Sequence, residues 1–161
     1  MRSLLLTALL ALAVLGVLRA QGPDTLTAGD LMVAGVPDGA DSGVIRRLLG
    51  RPDSITHFDH PDDDGIRATL WYYRAGVVTL GNHGERYLIT IRTEAWRTKR
   101  GVSVGDPEAR VRQVYGSPMY EEARHLLYAC SSGVSETRGI DFTLENGRVV
   151  KIEVGNVISV D

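Results

Sequence analysis

Residues 39–52, GADSGVIRRLLGRP, and residues 105–118, GDPEARVRQVYGSP, read as two copies of one element. Gly39 aligns with Gly105, Gly50 with Gly116 and Pro52 with Pro118, always at an offset of 66 residues. A fixed period with the same element order marks a duplicated supersecondary unit. In the first copy Asp41 can cap a short helix that puts Val44, Ile45, Leu48 and Leu49 on one face. In the second copy Asp106 is the expected N-cap, with Pro107 at N1 and Glu108 at the positive end of the helix dipole. Val111, Val114 and Tyr115 form its apolar stripe. Gly50 and Gly116 suit a left-handed C-terminal position, and Pro52 and Pro118 prevent continuation. Helices of about ten residues are marginal alone and must be held by packing.

Downstream of the first copy, LWYYR (70–74), VVTL (77–80) and RYLITIR (86–92) are predicted strands. Their counterparts are LLYAC (126–130), IDFTL (140–144) and RVVKIEV (148–154), with Tyr72 aligned to Tyr128. Asn146-Gly147 between alternating apolar runs predicts a hairpin. Residues 53–68 and 119–125 are connections of unequal length. The expected fold is α+β: two tandem repeats of a short helix plus an antiparallel β-meander, forming one sheet with helices on one face. The expected boundaries are a signal peptide at 1–20, a flexible leader at 21–30, a first repeat at 31–97 and a second at 98–161. Residues 31–36 can add a short strand before the first helix, and both repeats belong to one compact domain.

Strand alternation sorts side chains into two faces. Leu70, Tyr72, Val78, Leu80, Ile89 and Ile91 are assigned to the helix-covered face, with Leu126, Tyr128, Cys130, Phe142, Leu144, Val150 and Ile152 as their partners. The opposite face then carries Trp71, Tyr73, Thr79, Leu88, Thr90 and Arg92, followed by Leu127, Ala129, Asp141, Thr143, Val149, Lys151 and Glu153. Tryptophan and tyrosine on a solvated sheet are enriched in binding hot spots. Trp71, Tyr73, Thr90, Arg92 and Lys151 are therefore the candidate partner-binding residues. The alternative is that the aromatic pair packs against the N-terminal segment or the 53–68 loop.

Arg2 followed by an apolar stretch from Leu4 to Leu18 and a small Ala20 has the layout of a signal peptide, with a mature start at Gln21. The stretch is shorter than the roughly 20 residues that span a bilayer. The expected location is periplasmic or extracellular. Without Arg2 and Arg19 the net charge moves from −2 to −4, which argues against general nucleic-acid affinity. Cys130 is the single cysteine, so no intramolecular disulfide can form; a small buried hydrophobe is its expected role.

HFDHPDDDG (57–65) has ligand-type spacing: His57 and His60 with Asp59 and Asp62 offer imidazole and carboxylate to a divalent metal. The same residues also read as a solvated acidic loop turned by Pro61 and Gly65. Arg97, Lys99 and Arg100 form a basic cluster between the repeats, expected as a solvated linker. No nucleophile elbow, phosphate loop or CxxC pattern is present in the sequence.

Short helix, Gly-x-Pro, aromatic strand and Asn-Gly hairpin, with TKRGVSVGDPEARVRQVYGSP (98–118) as a repeat entry, resemble the SmpA/OmlA-like and β-lactamase-inhibitor-protein-like superfamily. The resemblance spans about residues 31–157. It implies an exported protein of tandem helix–sheet repeats. Some members of that superfamily inhibit secreted β-lactamases through a concave sheet face; others are lipoproteins that scaffold outer-membrane barrel assembly. This chain lacks a lipobox cysteine and the cysteine pairs of the secreted inhibitors. The expected function is a non-enzymatic protein-binding or envelope scaffold module without cofactor, acting as a monomer on an unknown protein partner, with no nucleic acid and no lipid anchor. Two alternatives are a divalent-metal-binding protein built on the 57–64 loop and a structural envelope protein with no discrete site.

Overall fold

The computed structural model of the chain describes residues 25–59, 67–81, 83–132 and 137–157. The signal peptide expected over 1–20 lies outside these residues. The fold is α+β, with two helices and one eight-stranded antiparallel sheet. Helix α1 (Ser42–Leu49) precedes β1 (Ser54–Asp59), β2 (Arg67–Tyr73), β3 (Gly76–Leu80) and β4 (Arg86–Ile91). Helix α2 (Glu108–Tyr115) precedes β5 (Tyr120–Glu122), β6 (His125–Ser132), β7 (Thr137–Glu145) and β8 (Arg148–Val157). The spatial order is β1-β2-β3-β4-β8-β7-β6-β5, so the last strand of each group meets at the centre and β1 and β5 form the edges. No described helix is long and apolar enough to cross a membrane.

Local chemistry sets the helix ends. Asp41 accepts from the Val44 N–H at 2.9 Å and caps α1, as expected. Asp106 does not cap α2: its carboxylate turns back to the Ser103 N–H at 2.8 Å, and Pro107 stands at the N-cap instead. Gly50 and Gly116 close the two helices at φ 80 and φ 77, a region glycine enters without steric cost. Asn146 and Gly147, both at positive φ, join β7 to β8, which is the backbone a type I′ hairpin requires.

Register then decides the faces. Ile55, Trp71, Val78, Ile89, Val154, Ile140 and Tyr128 are successive cross-strand partners and form one transverse row. Tyr73, Gly76, Ile91, Ile152, Phe142 and Leu126 form the next row on the same side, here called the Trp71 face. Most of its side chains are fully buried and belong to the hydrophobic core, together with Ile45 of α1 and Val111 and Tyr115 of α2. Tyr115 stacks on Tyr128 and Phe142 with ring centroids 5.4 and 5.3 Å apart, and Arg46 of α1 lies 4.9 Å over Trp71.

Two face assignments need correction. On β2 the inward residues are Trp71 and Tyr73, not Leu70 and Tyr72. The Arg74–Ala75 turn pairs Tyr73 with Gly76 and so sets Trp71 opposite Val78. A one-residue error of register exchanges every side chain on a strand. On β8 the buried residue is Val149 and the exposed one Val150, because the ladder shifts between Thr143 and Leu144 and leaves Val150 without a cross-strand partner. A bulge of this kind inverts alternation beyond it.

Two elements were not anticipated. β1 and β5 lie where connections were expected; both edges carry exposed side chains and show no apolar alternation. The leader expected over 21–30 is tied down from Thr25 onward. Leu26 and Asp30 are buried, and Asp30 accepts from Thr27 N–H and from Arg100 at 3.0 and 2.8 Å. The basic cluster is thus no free linker: Arg100 also stacks over Tyr115, and Lys99 donates to the Gly29 carbonyl at 2.8 Å. Arg86, with no exposed side-chain surface, donates to the carbonyls of Leu31, Val36 and Val154 and holds the segment before α1 against the sheet.

Candidate functional site

The side of the sheet away from Trp71 is built from alternate residues of the same strands. Ser54, Tyr72, Val77, Thr90, Glu153, Asp141, Leu127 and Tyr120 form one row across all eight strands. A second row runs Thr56, Leu70, Thr79, Leu88, Gly155, Gly139, Ala129. His125, Thr143 and Lys151 stand opposite one another on the third. This Thr90 face mixes apolar side chains in its first half with a charged group centred on β7 and β8.

The charged group is compact. His125 Nδ1 lies 2.8 Å from Asp141 Oδ2, and Lys151 Nζ lies 2.9 Å from Glu153 Oε2. Asp141 and Glu153 are themselves cross-strand partners, so two carboxylates share the middle of the patch with one imidazole and one ammonium. The Asp141 side chain is only 13% exposed. Burial pushes its carboxyl above the usual value, against the opposing pull of the His125 hydrogen bond. Thr143 Oγ1 is buried without a hydrogen-bond partner. Beside the group, Gly139 and Gly155 pair across β7 and β8, and a Cβ on either would collide with the neighbouring strand, at Tyr128 O for Gly139 and Tyr87 O for Gly155, so close strand packing requires glycine at both.

The five residues expected to bind a partner do not come together. Thr90 and Lys151 do lie on this face, on either side of Glu153: Thr90 is its β4 partner and Lys151 its ion-pair partner. Arg92 is exposed just beyond the end of β4, and its N–H donates to the Ala75 carbonyl at 3.1 Å. Trp71 is 4% exposed and sits in the core. Tyr73 is on the same side as Trp71; its ring packs on Trp96 at 5.6 Å and its hydroxyl donates to the Gly50 carbonyl at 3.3 Å. Both are corrections to the expected site, with the β2 register as their cause.

Of the expected metal ligands, His57 lies on exposed edge strand β1, with Nδ1 3.1 Å from Thr69 Oγ1. Asp59 ends that strand, and His60 and Asp62 lie outside the described residues. Among the described residues no three His, Cys, Asp or Glu side chains are placed to hold a metal ion.

His125, Asp141 and Glu153 are not among the partner-binding residues expected from the sequence. A local signal was present: Asp141 is set between Ile140 and Phe142, and Glu153 between Ile152 and Val154, the alternation of a half-buried strand. Their juxtaposition follows only from register. Comparison with family models, with curated proteins and with solved structures gives no match for the chain.

Proposed function

We propose that the chain is an exported, non-enzymatic protein-binding module that uses the Thr90 face, in the manner of the SmpA/OmlA-like and β-lactamase-inhibitor-protein-like superfamily it resembles. The observation that carries the binding role is the half-buried group of His125, Asp141, Lys151 and Glu153 on a sheet face that also presents Leu70, Tyr72 and Leu88. Burying charged groups away from water costs free energy unless they are paired and fully hydrogen-bonded, and perturbed carboxylates cluster at functional sites. Partner groups that hydrogen-bond Thr143 and the free valences of Glu153 and Lys151 turn that cost into affinity.

The tandem-repeat organisation and the helix placement belong to the same proposal. Equivalent hydrogen bonds recur in the two halves. The Tyr73 hydroxyl donates to the Gly50 carbonyl at 3.3 Å and the Tyr128 hydroxyl to the Gly116 carbonyl at 3.2 Å. Asp53 N–H donates to Tyr72 O, and Met119 N–H to Leu127 O, both at 2.8 Å. Arg86 N–H donates to Ala40 O at 2.7 Å and Val149 N–H to Asp106 O at 2.9 Å. These pairs support a duplicated unit in which Tyr73, rather than Tyr72, matches Tyr128. The contacts of Arg46 with Trp71 and of Tyr115 with Tyr128 support both helices covering the Trp71 face, which leaves the Thr90 face for a partner.

Affinity capture from the native envelope fraction tests this. The parent chain should retain a partner that a Lys151→Glu/Glu153→Lys double variant does not, at equal thermal stability. Equal capture by both would remove the Thr90 face from the function.

A further inference from the structure

We propose that the outer edge of β1, at Ile55 and His57, is a strand-addition site for an extended acidic segment of a partner protein. The two edges of the sheet are treated differently. β5 has three residues, two of them glutamates, and Glu121 is held by Arg112 at 2.7 Å. Short acidic edges of this kind resist further pairing. β1 has six residues, SITHFD, without proline, lysine or arginine, and Ser54 to Phe58 are all exposed. Among the described residues it pairs with β2 alone. An open edge offers a ladder of backbone donors and acceptors, and an extended peptide satisfies it by adding a strand.

The flank of this edge states the chemistry of the added strand. Arg46, Gly50, Arg51, Pro52 and Ile55 line a cleft of about 390 Å³ at the junction of α1 and β1. Among the described residues neither Arg46, Arg47 nor Arg51 forms an ion pair, although acidic partners engage Arg100, Arg112, Arg124 and Arg138. Arg46 rests its guanidinium on Trp71 and keeps its donors for another group. Ile55, 42% exposed, and Pro52 supply an apolar wall. A strand that places an apolar side chain against Ile55 and a carboxylate two positions away, on the same face, meets both the wall and the arginines. A polypeptide is indicated because only a backbone reads a sheet edge. The site is distinct from the Thr90 face and does not depend on it.

The test uses the full mature chain and two short synthetic peptides, one alternating valine with glutamate and the other valine with lysine. Amide hydrogen exchange is followed by NMR. The acidic peptide should slow exchange at Ile55 and His57, whose N–H groups face away from β2, by roughly tenfold or more, the range in which a newly made ladder reports itself. The basic peptide should not. Arg51→Glu should reverse the preference, and His57→Pro, which removes an N–H on the side away from β2, should abolish the effect of either peptide, while thermal melts stay unchanged. Four results overturn the proposal. They are equal protection by both peptides, protection confined to Thr90-face amides such as Leu88 and Glu153, no protection of β1 at millimolar peptide, or β1 protection that rises with protein concentration alone. The last would assign the edge to a second copy of this chain.

Discussion

Two carboxylates with cationic partners, Asp30 beside α2 and Asp141 on the Thr90 face, are shifted in opposite directions although burial raises both. Asp30 receives two hydrogen bonds from the Arg100 guanidinium and others from Thr27, and its carboxyl is held well below the usual range. Asp141 has one contact with a histidine and a second carboxylate as its β8 partner, and burial wins: its carboxyl is raised. A bidentate guanidinium compensates desolvation where a single imidazole contact does not. The first arrangement staples the N-terminal segment to the fold. The second leaves a charged group incompletely satisfied, which is what a binding surface needs and a core does not.

The largest test concerns which side of the sheet is core. Trp71→Ala should destabilise the chain by about 3–5 kcal/mol in denaturant unfolding, the range for truncating a buried aromatic. Phe142→Ala, fully buried beside Asp141 on the same strand, should fall in the same range. A loss below about 1 kcal/mol for Trp71→Ala would place it on the Thr90 side after all.

Breaking the staple comes next. Asp30→Asn should cost about 2–4 kcal/mol at neutral pH, because it strands the Arg100 charge. The pH dependence follows from the sign of the shift. A depressed carboxyl contributes stability that is present above its unfolded value of 3.8 and is lost as pH falls below it. The parent chain should therefore lose stability between about pH 5 and about pH 2, and Asp30→Asn should flatten that slope. An unchanged slope in the variant would show that other carboxylates control acid unfolding.

Asp141 should behave in the opposite sense and with smaller size. A raised carboxyl destabilises the folded chain as pH rises through 3.8 towards its folded value, since ionisation is easier in the unfolded chain. Asp141→Asn should consequently change stability at neutral pH by less than about 1 kcal/mol, or increase it. A loss as large as that of Asp30→Asn, measured in the same denaturant, would erase the distinction between the two regions. The smallest expected effect is on thermal stability in Lys151→Ala, which should leave the melting temperature unchanged while capture of the partner weakens.

Much of the fold was legible without coordinates. Asp41, Gly50, Gly116 and Asn146-Gly147 act through local geometry, so the start of α1, both helix C-termini and the last hairpin could be placed from residue type; the start of α2 could not, because Asp106 turns back to Ser103. Phe142 was recognisable as core because it stands between Asp141 and Thr143, and Tyr128, between Leu127 and Ala129, because of its parity with Leu126; both are buried. The edge strands were missed for the same reason in reverse: β1 and β5 bury too little to leave a periodic trace.

The site divided along another line. The sequence by itself determined which strands carry Asp141, Lys151 and Glu153, and that these residues alternate with core positions, because side-chain alternation is a local property of extended chain. Only the tertiary structure decided which side of β2 faces the core and that His125 reaches Asp141. Those outcomes depend on the Tyr73–Gly76 pairing and on the shift that isolates Val150. Register is a property of two strands together, and one residue of slip costs no local propensity while exchanging every side chain between core and surface.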